Sequence, residues 1–238
     1  FKAGVTTAVV PADNVKEAQL MQGMEIVPMH HLKQVLRWLR TGERQQEQEF
    51  DLQWEHSDLR LDFADVAGQP AARLAAEIAA VGGHHIMLIG PPGAGKTMIA
   101  ERIPTIMPAL SIAQALEVTA VHSIAGTLMQ RSPLSLLAPI VSPHHTTTRV
   151  AMVGGGSHAI KPGACSLAHY GVLFIDEAPE CGPGVLDSLR QPLESGTITI
   201  ARSIGNITFP AQFLLVLAAN PCPCGKFVGI GADCSCSS

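Results

Sequence analysis

The stretch Gly90-Pro91-Pro92-Gly93-Ala94-Gly95-Lys96-Thr97 matches the pattern G-x-x-x-x-G-K-[ST] in full. An apolar run, His85-Ile86-Met87-Leu88-Ile89, precedes it, and Met98-Ile99-Ala100-Glu101 follows as the opening of a helix. Strand, glycine-rich loop and helix in that order restrict the chain to a narrow set of α/β folds. The glycines let the backbone bend until successive N–H groups face one concavity, where a polyphosphate is held at a helix N-terminus. Lys96 would neutralise the β- and γ-phosphates, and the Thr97 hydroxyl would ligate Mg²⁺. The segment Gly90 to Met98 is therefore the expected binding loop for a nucleoside triphosphate. A surface turn rich in Gly and Pro is the bland alternative, and the flanking elements argue against it.

A second motif, Gly171-Val172-Leu173-Phe174-Ile175-Asp176-Glu177, reads as a strand buried on both faces of a parallel sheet, with two carboxylates at its C-terminal end. Ligands of open α/β sheets bind at that end. Asp176 can hold the Mg²⁺ shell while Glu177 orients or deprotonates the attacking water. A third strand, Phe213 to Ala219, ends in Asn220. Its amide could contact the attacking water or the γ-phosphate, or could simply end the strand by turn chemistry.

In 238 residues the chain can bury one sizeable core and a small second unit. With 47% hydrophobic and 15% charged residues it is not disordered in general. The net charge of −4 gives no global basic field, so any nucleic-acid contact must come from local Lys or Arg. No apolar run reaches the roughly 18 residues a membrane span needs, which points to a cytoplasmic protein. Neither end has the look of a natural terminus, and a fragment of a longer chain is expected.

Four of the six cysteines crowd into Cys222-Pro223-Cys224 and Cys234-Ser235-Cys236. Two C-x-C pairs across a Gly-containing loop could close a tetrahedral thiolate site around Zn²⁺, although the spacing is tighter than the usual C-x₂₋₄-C. Free thiols in a reducing compartment are the other reading. Cys165 and Cys181 stand alone and read as packing residues.

Along the chain, residues 1–40 alternate as strand (Val5 to Pro11), helix (Asp13 to Met21), strand (Glu25 to Met29) and helix (His31 to Leu39). This βαβα piece is too small to be stable alone. Thr41 to Asp58 is Gln- and Glu-rich and reads as a linker. Asp62 to Gln69 leads into an Ala-rich helix, Ala71 to Val81, closed by Gly82-Gly83. Val66 and Gly68 in that lead-in are candidates to contact a nucleotide base. Between Lys96 and Asp176 lie two helix-like pieces, Ser111 to Val121 and Leu134 to Leu137, with Pro143-His144-His145 and Gly154-Gly155-Gly156-Ser157. Such an insertion covers a site or reaches a partner, or is a flexible connection. Val185 to Glu194 reads as an amphipathic helix. Thr197 to Arg202 and Asn206 to Phe209 then alternate around Ser203-Ile204-Gly205, the signature of a β-hairpin.

The ordered set of phosphate loop, insertion, Val172-Leu173-Phe174-Ile175-Asp176-Glu177, hairpin and terminal Asn resembles the AAA+ ATPases of the magnesium-chelatase type. Pro143-His144-His145, Val153-Gly154-Gly155-Gly156-Ser157, Pro162-Gly163, Ser166-Leu167-Ala168-His169, Leu189-Arg190-Gln191-Pro192-Leu193-Glu194 and Ala219-Asn220-Pro221-Cys222-Pro223-Cys224-Gly225 resemble the ComM/YifB branch of that family. Ala3-Gly4-Val5 and Val10-Pro11-Ala12-Asp13-Asn14 resemble the closing part of a Lon-protease-like domain.

The resemblance implies an α/β P-loop AAA+ fold, an αβα sandwich with a parallel central sheet and inserted hairpins. It divides the chain into residues 1–42, the end of the Lon-like domain; 43–61, a linker; and 62–238, an AAA+ core without its helical lid. It further implies ATP and Mg²⁺ as cofactors, Lys96, Glu177 and Asn220 as catalytic residues, and a homo-oligomer in the form of a hexameric ring. DNA is the implied partner, with branch migration during recombination and natural transformation as the activity. Lys161 and Arg202 become candidates for contacting DNA phosphates. Where family members carry Arg in the segment Phe209-Pro210-Ala211-Gln212-Phe213, this chain has Gln212, so that cationic finger is absent. A chelatase-type ATPase that remodels a protein partner for metal insertion is the alternative, and the anionic balance fits it. A protease component is the third reading, for which residues 1–42 hold no nucleophile and base pair.

Overall fold

The computed structural model describes residues 4–19, 23–42, 61–128, 135–156, 159–202, 205–227 and 234–236. These fall into two compact units, one built from residues 4–42 with Ser135 and the other from the described residues of 61–128 and 136–236. The expected linker, 43–61, lies outside the described residues except for Leu61.

In the first unit, strands β1 (Thr7–Pro11) and β2 (Glu25–Met29) pair in parallel with Thr7 opposite Glu25. The Thr7 hydroxyl donates to Glu25 Oε2 at 3.0 Å across that pair. A parallel pair needs a crossover. It begins with a 3₁₀ turn, Ala12–Asn14, and helix α1 (Val15–Ala18), which buries Val15. The helix expected to reach Met21 is described only as far as Gln19, and Met21 lies outside the described residues. Helix α2 (Leu32–Thr41) follows β2 and stops at Gly42.

The second unit begins with a 3₁₀ turn, Phe63–Asp65, then α3 (Pro70–Gly82), β3 (Ile86–Ile89) and α4 (Lys96–Arg102). Pro70 occupies the first turn of α3, where its missing N–H costs nothing. Next come α5 (Ile112–Ala125), β4 (Ile140–Val141) and α6 (Arg149–Val153). A small antiparallel pair, β5 (Gly154–Gly155) with β6 (Lys161–Pro162), leads to α7 (Ala164–Leu167) and β7 (Val172–Ile175). Helices α8 (Pro183–Asp187) and α9 (Arg190–Ser195), the hairpin β8 (Thr197–Arg202) and β9 (Gly205–Pro210), and β10 (Leu214–Ala219) complete the unit.

Among the described residues the central sheet has the order β3-β10-β7-β4, with every neighbouring pair parallel. Strand β7 sits inside it, and all four of its side chains are buried, which is why its sequence is continuously apolar. Its alternate residues serve opposite faces. Val172 and Phe174 join Phe63, Val66, Ala76, Ile99 and Ile103 under α3 and α4. Leu173 and Ile175 join Met152, Cys165, Val185, Leu189, Ile198 and Phe209 under the inserted helices and the hairpin. Helices therefore cover both faces of a parallel sheet, the αβα arrangement expected. Cys165 and Cys181 are core residues, and burial pushes the Cys165 thiol up to about 12, so neither serves as a ready thiolate.

Three segments depart from the sequence reading. Helix α5 begins one residue after its cap Ser111 but runs past Val121 to Ala125, ending at Gly126. The helical piece expected over Leu134 to Leu137 is absent: Ser135–Leu137 are irregular, Leu134 lies outside the described residues, and the regular structure there is the two-residue strand β4. The single helix expected over Val185 to Glu194 is split into α8 and α9. Pro192 explains the split, since it has no N–H to give the carbonyl of Ser188 and its ring would crowd that carbonyl.

One buried polar link ties the insertion to the sheet. His169 is 1% exposed, its Nε2 lies 3.2 Å from Glu117 Oε2 on α5, and its Nδ1 accepts the Gln212 N–H at 3.1 Å just before β10. Accepting at Nδ1 places the proton on Nε2, facing the carboxylate. Burial lowers the ring's pKa from the ordinary 6.5, against the pull of Glu117 and the other hydrogen bonds. The unfolded chain therefore takes up this proton first on acidification, and stability present above that ordinary value is lost as pH falls below it. We expect the melting temperature to drop between about pH 7.5 and about pH 5.5, and to drop less in a His169→Gln chain. Equal pH slopes for the two chains would contradict this role.

Candidate nucleotide site

Register brings three strand ends together. Ala219 of β10 lies opposite Ile89 of β3, and Leu217 opposite Ile175 of β7, so Gly90, Asn220 and Asp176 leave the sheet on one edge. The Gly90 N–H donates to Ala219 O at 3.2 Å, carrying the β3–β10 pairing into the start of the loop. The loop from Gly90 to Gly95 then turns into α4. Gly95 caps that helix at φ 80°, a left-handed conformation that costs glycine little and a residue with a side chain more.

Lys96 folds back beneath the loop. Its Nζ donates to Gly90 O at 2.8 Å, Pro91 O at 3.1 Å and Asn220 Oδ1 at 3.1 Å, which accounts for its three protons. The Thr97 hydroxyl donates to Asp176 Oδ2 at 2.8 Å across the space between α4 and β7. The other Asp176 oxygen accepts the Glu177 N–H at 2.9 Å. Glu177 has φ 50°, a left-handed backbone uncommon for a residue with a side chain. Such local strain concentrates at functional sites.

A cavity of about 400 Å³ opens over this edge, lined by Pro92 to Met98, Asp176, Glu177 and Asn220. The residues fit a magnesium–triphosphate group in kind: loop amides and one ammonium for phosphate oxygens, and a hydroxyl with a carboxylate, both hard oxygen donors, for the metal. Gly90 and Pro91 do not line it, and their carbonyls accept from Lys96 Nζ. Val66 is fully buried in the core under α3, with its carbonyl accepting from Arg73 Nη1 at 2.7 Å, and Gly68 is exposed. Neither lines the cavity.

Two residues at the site were given no role there by the sequence reading, although His145 was named within the Pro143-His144-His145 motif. His145 Nδ1 lies 3.1 Å from Glu177 Oε2, holding that carboxylate at the cavity mouth. It follows β4, which is parallel to β7, so the strand-end rule would have brought it here had two residues been enough to reveal a strand. Gln69, at the N-cap of α3, donates its side-chain N–H to Ala94 O of the phosphate loop. It carried no pattern of its own, and only the tertiary fold brings it there. Lys161 is exposed on β6, and Arg202 ends β8 opposite Gly205. No described helix is long and apolar enough to cross a membrane.

Comparison with known proteins adds three relatives. An uncharacterized protein of Mycobacterium tuberculosis is 48% identical over 237 residues, covering 99% of this chain and 46% of the relative. Uncharacterized protein YifB of Escherichia coli is 41% identical over 227 residues, 95% of this chain and 44% of the relative. Competence protein ComM of Haemophilus influenzae is 46% identical over 169 residues, 71% of this chain and 33% of the relative. The chain thus spans about half the length, or less, of the curated relatives it matches. The family model described as magnesium chelatase, subunit ChlI, matches residues 62–238, a range that takes in the phosphate loop, both carboxylates and Asn220. By that match, and by the parallel sheet that gathers those residues on one edge, the chain belongs to the magnesium chelatase, subunit ChlI, family of AAA+ ATPases.

Proposed function

We propose that residues 62–238 are the ATP-hydrolysing core of a DNA motor that works as a hexameric ring in the cytoplasm, moving branched DNA during recombination and natural transformation. In this reading residues 1–42 close a Lon-like domain and 43–61 link it to the core. The observation that carries the ATPase part is the pair of contacts at the strand ends, Thr97–Asp176 at 2.8 Å and Lys96–Asn220 at 3.1 Å. The DNA part is supported by the relative whose name includes the word competence.

Bound Mg²⁺ supplies positive charge across the phosphates. The chain's own residues do the rest. Loop amides from Gly93 to Thr97 and the Lys96 ammonium bind and orient the triphosphate, Lys96 exchanging its carbonyl partners for phosphate oxygens. Thr97 and Asp176 hold the metal's place. Glu177 takes a proton from, or aligns, the attacking water, and His145 sets where that carboxylate points until it is needed. Asn220, touching Lys96, reports on the γ-phosphate position.

For the motor reading, the ATPase rate of the full-length protein should rise several-fold with branched or single-stranded DNA, an increase that fades as salt screens the phosphate contacts. An unchanged rate across several DNA forms removes the motor. A rise with a protein partner instead favours the chelatase-type reading, which the family's name keeps in view.

A further inference from the structure

Beyond Asn220 the chain continues as Pro221-Cys222-Pro223-Cys224-Gly225, and the fold gathers these two thiols with those of Cys234 and Cys236. All four sulfurs lie within 4.8 Å of one another. Cys222 Sγ is 3.4 Å from Cys224 Sγ and 3.5 Å from Cys234 Sγ, and Cys224 Sγ is 3.6 Å from Cys234 Sγ. A disulfide requires about 2.05 Å, and all four cysteines are free thiols. Four thiolates about 2.3 Å from a tetrahedral Zn²⁺ lie roughly 3.8 Å apart, close to the spacing seen. An iron–sulfur cluster, with inorganic sulfide between its irons, would spread its cysteines further.

This cluster also touches the phosphate loop. The Gly225 N–H donates to Cys222 O at 2.9 Å and closes the turn. Gly225 has φ +74°, and a Cβ built on it would come within 2.7 Å of Pro92 Cδ. The turn therefore rests backbone-to-ring against Pro92, while Asn220, at its other end, holds Lys96.

We propose that Cys222, Cys224, Cys234 and Cys236 bind one Zn²⁺, and that this ion braces the 221–225 turn against Pro92, so that metal loading fixes the phosphate loop and Asn220. Binding releases the thiol protons to solvent and involves no oxidation or reduction. The brace rests on reading the phosphate loop as the nucleotide site; the metal site does not.

The test starts with metal analysis of the full chain purified without chelators. About one zinc per chain is expected, released to a chromophoric chelator when the thiols are titrated. Replacement by Co²⁺ should give the intense visible bands of a tetrahedral all-sulfur site. A Cys224→Ser, Cys236→Ser chain should lose the metal, and if it fails to fold, the Co²⁺ spectrum of the unaltered chain decides. Substoichiometric zinc with no Co²⁺ uptake by the reduced protein, or iron in its place, overturns the site. For the brace, Gly225→Ala should keep its zinc yet weaken binding of a fluorescent ATP analogue by roughly tenfold. Unchanged affinity with zinc in place overturns the brace. If the unaltered zinc-loaded chain binds no nucleotide, it is the nucleotide reading that fails, and the metal site stands.

Discussion

Replacing Lys96 with Ala should raise the dissociation constant for a non-hydrolysable ATP analogue by between about 30-fold and several hundred-fold, the equivalent of roughly 2 to 4 kcal/mol. Each charge-assisted hydrogen bond to a phosphate is among the stronger kinds. Part of that gain is offset, because Lys96 already satisfies Gly90 O, Pro91 O and Asn220 Oδ1 and must release some of them to bind. In the Lys96→Ala chain those acceptors also lose their donor, which loosens the loop the phosphates need. Calorimetric titration measures the constant directly. Affinity within about threefold of the unaltered chain would mean that the phosphates sit elsewhere, since no loss of an ammonium contact is that small.

For Glu177→Gln the expected outcome is the opposite split: ATP still binds within about threefold, while turnover falls by about 10²- to 10⁴-fold, the usual worth of a positioned general base. The substitution keeps the side chain's size and leaves the Glu177 N–H to Asp176 contact in place, so the metal-side geometry survives. It alters the contact with His145, but that contact is partly exposed and contributes little to stability. Single-turnover kinetics beside the titration separate the two effects. Binding and turnover lost together would take Glu177 out of the water-activating role and give it a structural one.

The phosphate loop, β7 and β10 were legible because their signals are local: a fixed glycine spacing, and runs of four to six apolar residues that only a doubly covered parallel strand requires. Their convergence followed from the rule that parallel sheets bind ligands at strand C-termini. The split between α8 and α9 could have been read from Pro192, whereas amphipathic spacing carried the helix through it. Strand β4 could not be read, since two residues have no period, and with it went the contact of His145 with Glu177. Gln69 and His169 act through partners 25 and 43 or more positions away, a relation no window of sequence contains. Val66, expected beside the base, has its side chain in the core with Phe63 and Ile99, which the lead-in sequence did not reveal.

The most direct test is a structure of the chain with a non-hydrolysable ATP analogue and Mg²⁺. We expect the γ-phosphate between Lys96 and Asn220, and the metal about 2.1 Å from the Thr97 hydroxyl with Asp176 in its shell, directly or through one water. A triphosphate bound away from the loop amides, or a metal on another edge of the sheet, would contradict it.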